Sequence, residues 1–153
     1  MPCRLTFLAW ISLLPIGAAL AGEDPGRRDP HDERLSRQLV GTWEDDYQGK
    51  RTMTLRADGK GTMLVELSGM RARLFAARLT FEMEWSVEQG RLKKRTTGGQ
   101  PAVAVQLILK AMGDRVAEPI LELSDERLLL QDQDGKTKYD WRRPRRALPS
   151  PAP

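Results

Sequence analysis

The chain has 153 residues, a single cysteine, a single histidine and a formal net charge of +4. With one histidine there is no multi-histidine metal site and no histidine-centred triad. The lone cysteine, Cys3, precedes an apolar run that reads as an export signal, so the exported chain has no thiol nucleophile and no disulfide, and its stability must come from a hydrophobic core.

Residues 1–21 carry the export pattern. Arg4 supplies a short positive start, Leu5 to Leu20 is almost wholly apolar, and Ala19-Leu20-Ala21 offers the small residues that a signal peptidase reads. Cleavage is expected before Gly22. The run is short for a membrane span and is followed by acidic residues rather than a basic stop. No cysteine stands at the cleavage point, so no lipid anchor is expected there. About 130 residues remain, enough for one domain with its own core. Without Arg4 they hold 24 basic against 21 acidic residues.

Residues 22–30 form a polar, proline-bearing linker expected to be disordered. Leu35 and Leu39, four apart among polar residues, predict one or two helical turns plugging one end of the domain. A first strand spans Leu39 to Asp46. After a turn at Tyr47-Gln48-Gly49, a second strand runs from Arg51 to Ala57, with Met53 and Leu55 on one face. Asp58-Gly59-Lys60-Gly61 is a hairpin signal. Met63, Val65 and Leu67 alternate in a third strand, and Ser68-Gly69 allows a break or bulge.

The fourth strand has the strongest pattern. Leu79, Phe81, Met83, Trp85 and Val87 point one way, and Arg78, Thr80, Glu82, Glu84 and Ser86 the other, as in a sheet with one buried and one wet face. A turn at Glu88-Gln89-Gly90 leads to a polar fifth strand, Arg91 to Thr97, expected at an edge or rim because Leu92 is its single large apolar residue. Residues 102–112 lie between Pro101 and Gly113, an arrangement that favours a helix; the alternation of Val103, Val105 and Leu107 would also suit a strand. Glu118 to Leu123, Arg127 to Gln131 and Lys136 to Arg142 complete eight strands, the last two joined at Asp134-Gly135. Residues 144–153, rich in proline and arginine, form a tail expected to be disordered. The domain therefore spans 31–143.

Short hairpins with one buried face predict an all-β fold: an antiparallel up-and-down meander closed into a barrel, with a short N-terminal helix and one helix before strand six. An eight-stranded barrel either fills with side chains or holds one small ligand.

Leu39-Val40-Gly41-Thr42-Trp43 resembles the first-strand motif of lipocalin-like proteins. The ending Tyr139-Asp140-Trp141-Arg142 is similar to the place where those proteins set a basic residue over the first-strand tryptophan. The order of turns also resembles small bacterial secreted lipocalin-like barrels. The resemblance implies that Trp43 closes the bottom of the barrel with Arg142 or Arg143 across it; Gly41, Trp43 and Arg142 form the expected closure set. This chain is shorter than a full lipocalin, lacks the disulfide many have, and carries an insertion before strand six.

Catalytic constellations are not legible. His31 lies at the flexible start. Glu82 and Glu84 share a solvated strand face. Asp132, Asp134 and Gly135 lack the spacing and terminal glutamate of a calcium loop. Gly59 and Gly61 belong to a turn, not a phosphate loop. No enzyme activity, metal or cofactor is expected. The expectation is a monomeric periplasmic or secreted barrel holding a small apolar or amphipathic ligand against Met53, Leu55, Met63, Val65, Phe81, Met83 and Trp85. The alternative is an envelope protein with a filled core and no ligand. Nucleic acid is not an expected partner; the arginine tail suits weak contact with an anionic membrane.

Overall fold

A polar–apolar alternation of period two buries one face only if the sheet curls round it, and this chain curls completely. A computed structural model describes residues 29–145. The export signal (1–21), most of the linker and all but the first two residues of the tail lie outside the described residues.

The strands are β1 (Gly41–Asp46), β2 (Lys50–Leu55), β3 (Lys60–Glu66), β4 (Arg78–Glu88), β5 (Arg91–Gln100), β6 (Arg115–Leu123), β7 (Arg127–Gln131) and β8 (Lys138–Arg142). Each pairs antiparallel with its successor, and β8 returns to β1 through Glu44 and Arg142, closing the barrel. Three helices interrupt the meander: α1 (Pro30–Leu39), α2 (Gly69–Leu74) and α3 (Ala102–Met112).

Antiparallel order sorts the connections into two poles. At one lie α1, the start of β1 and the β2–β3, β4–β5 and β6–β7 turns. At the other lie the β1–β2 and β7–β8 turns and the two crossovers that carry α2 and α3. At the first pole α1 acts as a plug; at the second, here called the unplugged pole, α3 packs against β4 and β5 with Val105 fully buried. Asp29 caps α1 by accepting the His31 backbone N–H at 2.8 Å, and Pro30 opens the helix. Asp32, buried one turn in, accepts the backbone N–H groups of Gln89 (2.7 Å) and Gly90 (2.9 Å), pinning α1 to the β4–β5 turn.

The boundaries differ from the sequence expectation where local chemistry was ambiguous. Leu39 ends α1 rather than opening β1, because its side chain belongs to the buried end of the helix. The helix also begins at Pro30, inside the expected linker. Ser68-Gly69 does not bulge a strand but starts the short helix α2. Residues 102–112 are helical. The fifth strand is neither edge nor rim: β5 is paired with β4 on one side and β6 on the other. Its polarity reflects an outward row of charges and an inward lysine, not a free edge.

The core extends from the plugged pole into the middle of the barrel. Leu39, Trp43, Met53, Leu55, Leu92, Leu128, Leu130 and Trp141 are all at most 1% exposed. Gly41 adopts φ +125°, and a Cβ there would collide with the Arg143 guanidinium. The backbone conformation thus favours glycine in the Gly-x-Trp motif, and a side chain there would also have to displace the Arg143 guanidinium.

Candidate functional site

The register assigns side chains to the interior without ambiguity. Cross-strand partners share a face, so Trp43, Met53, Met63 and Phe81 form one ring segment, and Arg51, Val65 and Leu79 form the next toward the unplugged pole. On the other wall Trp85 pairs with Lys94, Val87 with Leu92, and Leu92 with Glu118. Leu128 pairs with Trp141, and Leu130 with Tyr139.

Seven residues were expected to line a pocket, and they divide. Met53, Leu55, Met83 and Trp85 are buried in the core cluster. Trp85 lies toward the plugged pole, its indole N–H shared between the carbonyls of Arg56 and Lys60, each at 3.1 Å. Met63 packs partly buried against the same core. Val65 and Phe81 are half-buried on the side of the unplugged pole. Met63, Val65 and Phe81 therefore form a half-buried apolar strip, while the other four belong to the buried core.

Beside that strip the interior is charged. Arg51 enters from β2 with the parity of Met53 and forms an ion pair with Asp45. Its guanidinium carbon lies 4.7 Å from the ring centroids of Tyr139 and Trp141 and 5.2 Å from that of Tyr47. Tyr47 and Tyr139 meet edge to face at 5.0 Å. Aromatic faces of this kind favour a cation over their negative quadrupole. Across the barrel the Lys94 ammonium lies 2.6 Å from a Glu118 carboxylate oxygen, with both side chains under a tenth exposed. Each buried charge has a partner, the usual condition for a charge inside a protein. Among the described residues three buried polar atoms lack a hydrogen-bond partner: the donors Arg51 Nε and Trp141 Nε1, and the acceptor Glu118 Oε2, which meets Lys94 as an ion pair only.

Tyr139 feels this environment. Burial, then the Asp132 carboxylate, push its phenol up from an ordinary 10 to about 12. The folded state holds that proton more tightly than the unfolded chain, so the contribution is complete below pH 10 and is lost as pH rises toward 12. An ultraviolet titration should show Tyr139 ionising near the upper value in the folded protein, with stability falling across the same window. Tyr139→Phe should flatten that fall; a Tyr139 titration with its midpoint at 10 would contradict the burial.

The closure set changes by one residue. Trp43 is buried, with its indole N–H donating to the Leu39 carbonyl at 2.9 Å. The residue over its ring is Arg143, at 3.8 Å, and not Arg142. Strand parity is the reason: with Trp141 inward, Arg142 points outward and pairs with Asp140 at 2.9 Å. Arg143, just past the strand, folds back to donate to the Val40 (3.0 Å) and Gln38 (2.8 Å) carbonyls.

Elsewhere the polar residues are solvated. Glu82 and Glu84 face outward, Glu84 paired with Arg95 at 3.0 Å. His31 is exposed beside Asp32. Asp134 organises the β7–β8 turn through Lys136 and Thr137. Among the described residues no cluster of histidine, cysteine, aspartate and glutamate could hold a metal. Two open clefts flank the barrel. One, about 710 Å³, borders Trp85, Lys94, Val116, Ala117 and Gln133; the other, about 420 Å³, lies between the β1–β2 turn and α2. Of the seven expected lining residues, only Trp85 touches either.

An eight-stranded, all-antiparallel, up-and-down closed barrel is the architecture that lipocalins share with other small β-barrels. No family model matches the chain, and no curated protein matches it. Among solved structures the chain is similar to a lipocalin-like protein from Bacteroides uniformis, at 15% identity and a TM-score of 0.49, over 69% of this chain and 98% of that one.

Proposed function

We propose that this chain is an exported, non-catalytic binding protein for a small amphipathic ligand, taken in at the unplugged pole and acting in the periplasm or outside the cell. The apolar part of the ligand would lie along Met63, Val65 and Phe81. Its head, bearing oxygen acceptors, would reach Arg51 and Trp141. The observation that carries this reading is the pair of buried donors without acceptors, Arg51 Nε and Trp141 Nε1, beside a half-buried apolar strip. A buried unsatisfied donor costs about 1–3 kcal/mol, and a ligand oxygen would recover part of that. Export rests on the pattern of residues 1–21.

A brominated fatty acid tests the site, because bromine quenches a nearby indole. Saturable quenching is expected in the native protein and should be largely lost in Trp141→Phe, since Trp141 is the indole that lies beside the Arg51 guanidinium. Phe81→Ser should weaken binding about tenfold, the scale of one lost aromatic contact. Quenching that persists in Trp141→Phe would place the ligand elsewhere. The filled plugged half, from Leu39 to Trp141, favours a second reading: a structural envelope protein with no ligand, which predicts no quenching at any concentration.

A further inference from the structure

The unplugged pole has an outer surface as distinctive as its interior. On α2, Met70 and Leu74 are 77% and 71% exposed; on α3, Val103, Leu107 and Met112 are 84%, 58% and 82% exposed. Met70 and Leu74 are four apart, as are Val103 and Leu107, so each helix presents an apolar stripe to solvent. Residues 69–78 contain Arg71, Arg73 and Arg78 and no acid; residues 101–113 contain Lys110 and no acid. Arg78 is engaged by Glu66, and Arg71 donates to the Gln48 carbonyl at 3.2 Å. No carboxylate pairs with Arg71, Arg73 or Lys110 among the described residues. Topology sets both helices at the same pole, because each spans a crossover between the same ends of the strands.

We infer that α2 and α3 form a docking surface for an anionic lipid bilayer. Exposed apolar side chains framed by unpaired cations match an interface that offers hydrocarbon beneath negative headgroups. A second copy of the chain fits less well. An isologous dimer through this pole would set Arg71, Arg73 and Lys110 against their own equivalents. The arginine tail leaves from the opposite pole, after β8, so docking here is a separate matter from any contact the tail makes. The inference does not require a ligand in the barrel.

Vesicle sedimentation of the full chain, as recovered after export, tests it. Vesicles of phosphatidylcholine with a third phosphatidylglycerol should bind the protein at least tenfold more tightly than pure phosphatidylcholine vesicles. Arg71→Gln, Arg73→Gln and Lys110→Gln together should abolish that preference, each cation being worth about fivefold near such a surface. Leu74→Ser with Leu107→Ser should weaken binding to the anionic vesicles by at least tenfold; all five positions are exposed, and circular dichroism verifies folding. Arg145→Gln with Arg146→Gln should leave binding unchanged. Binding that falls only in the tail variant would overturn the inference. So would equal binding to both vesicle types, or absent binding together with a dimer that the serine variant dissociates.

Discussion

Trp43→Ala is expected to destabilise the fold by about 3–5 kcal/mol, the range for removing a large buried aromatic. Three interactions end at this side chain. Its ring is completely buried in the core cluster, its indole N–H satisfies the last carbonyl of α1, and its outer face supports the Arg143 guanidinium. Removing it leaves a cavity, an unpaired Leu39 carbonyl and an arginine without its platform. For a domain of this size each kcal/mol shifts the melting temperature by several degrees, so a drop of well over 10 °C is expected by calorimetry. Trp43→Phe should cost less, because it keeps the platform and loses the hydrogen bond. An unchanged melting curve for Trp43→Ala would show that the barrel does not depend on this plug.

The second large effect concerns the buried ion pair between Lys94 and Glu118. Lys94→Met should cost about 3–5 kcal/mol, because it strands Glu118 as an unpaired carboxylate inside the barrel. Adding Glu118→Leu should recover most of the loss and could exceed the native stability, since well-packed apolar pairs often match or beat buried ion pairs. Urea denaturation of the two single variants and the double variant gives the coupling directly. A double variant no more stable than Lys94→Met would show that the two charges do not act as a pair. A stabilised double variant would show that the pair is not kept for stability.

The barrel was legible because its signals are redundant. Asp58-Gly59, Glu88-Gln89-Gly90 and Asp134-Gly135 mark hairpins, and Leu79 to Val87 alternates without a break. The charged interior was harder to see. Arg51 has the parity of Met53 and Leu55, and Lys94 that of Leu92, so period two alone assigns both to the inner face. A composition-weighted reading instead treats a lysine-rich strand as a rim. What periodicity cannot supply is the partner: Glu118 lies 24 positions after Lys94 and meets it only through the β5–β6 register. The exchange of Arg142 for Arg143 has a similar origin. The motif places a basic residue near Trp43, but strand parity decides which one, and the inward Trp141 excludes its immediate neighbour. α2 escaped notice because a six-residue helix at a glycine leaves almost no periodic signal.

The most direct test of the binding role is native mass spectrometry of the protein recovered after export without detergent. A bound mass of a few hundred daltons, released on denaturation, is the predicted result, and its fragmentation would identify the ligand class. A clean unliganded mass that stays unchanged after incubation with a lipid extract would contradict the binding role and leave the filled barrel as a structural element of the envelope.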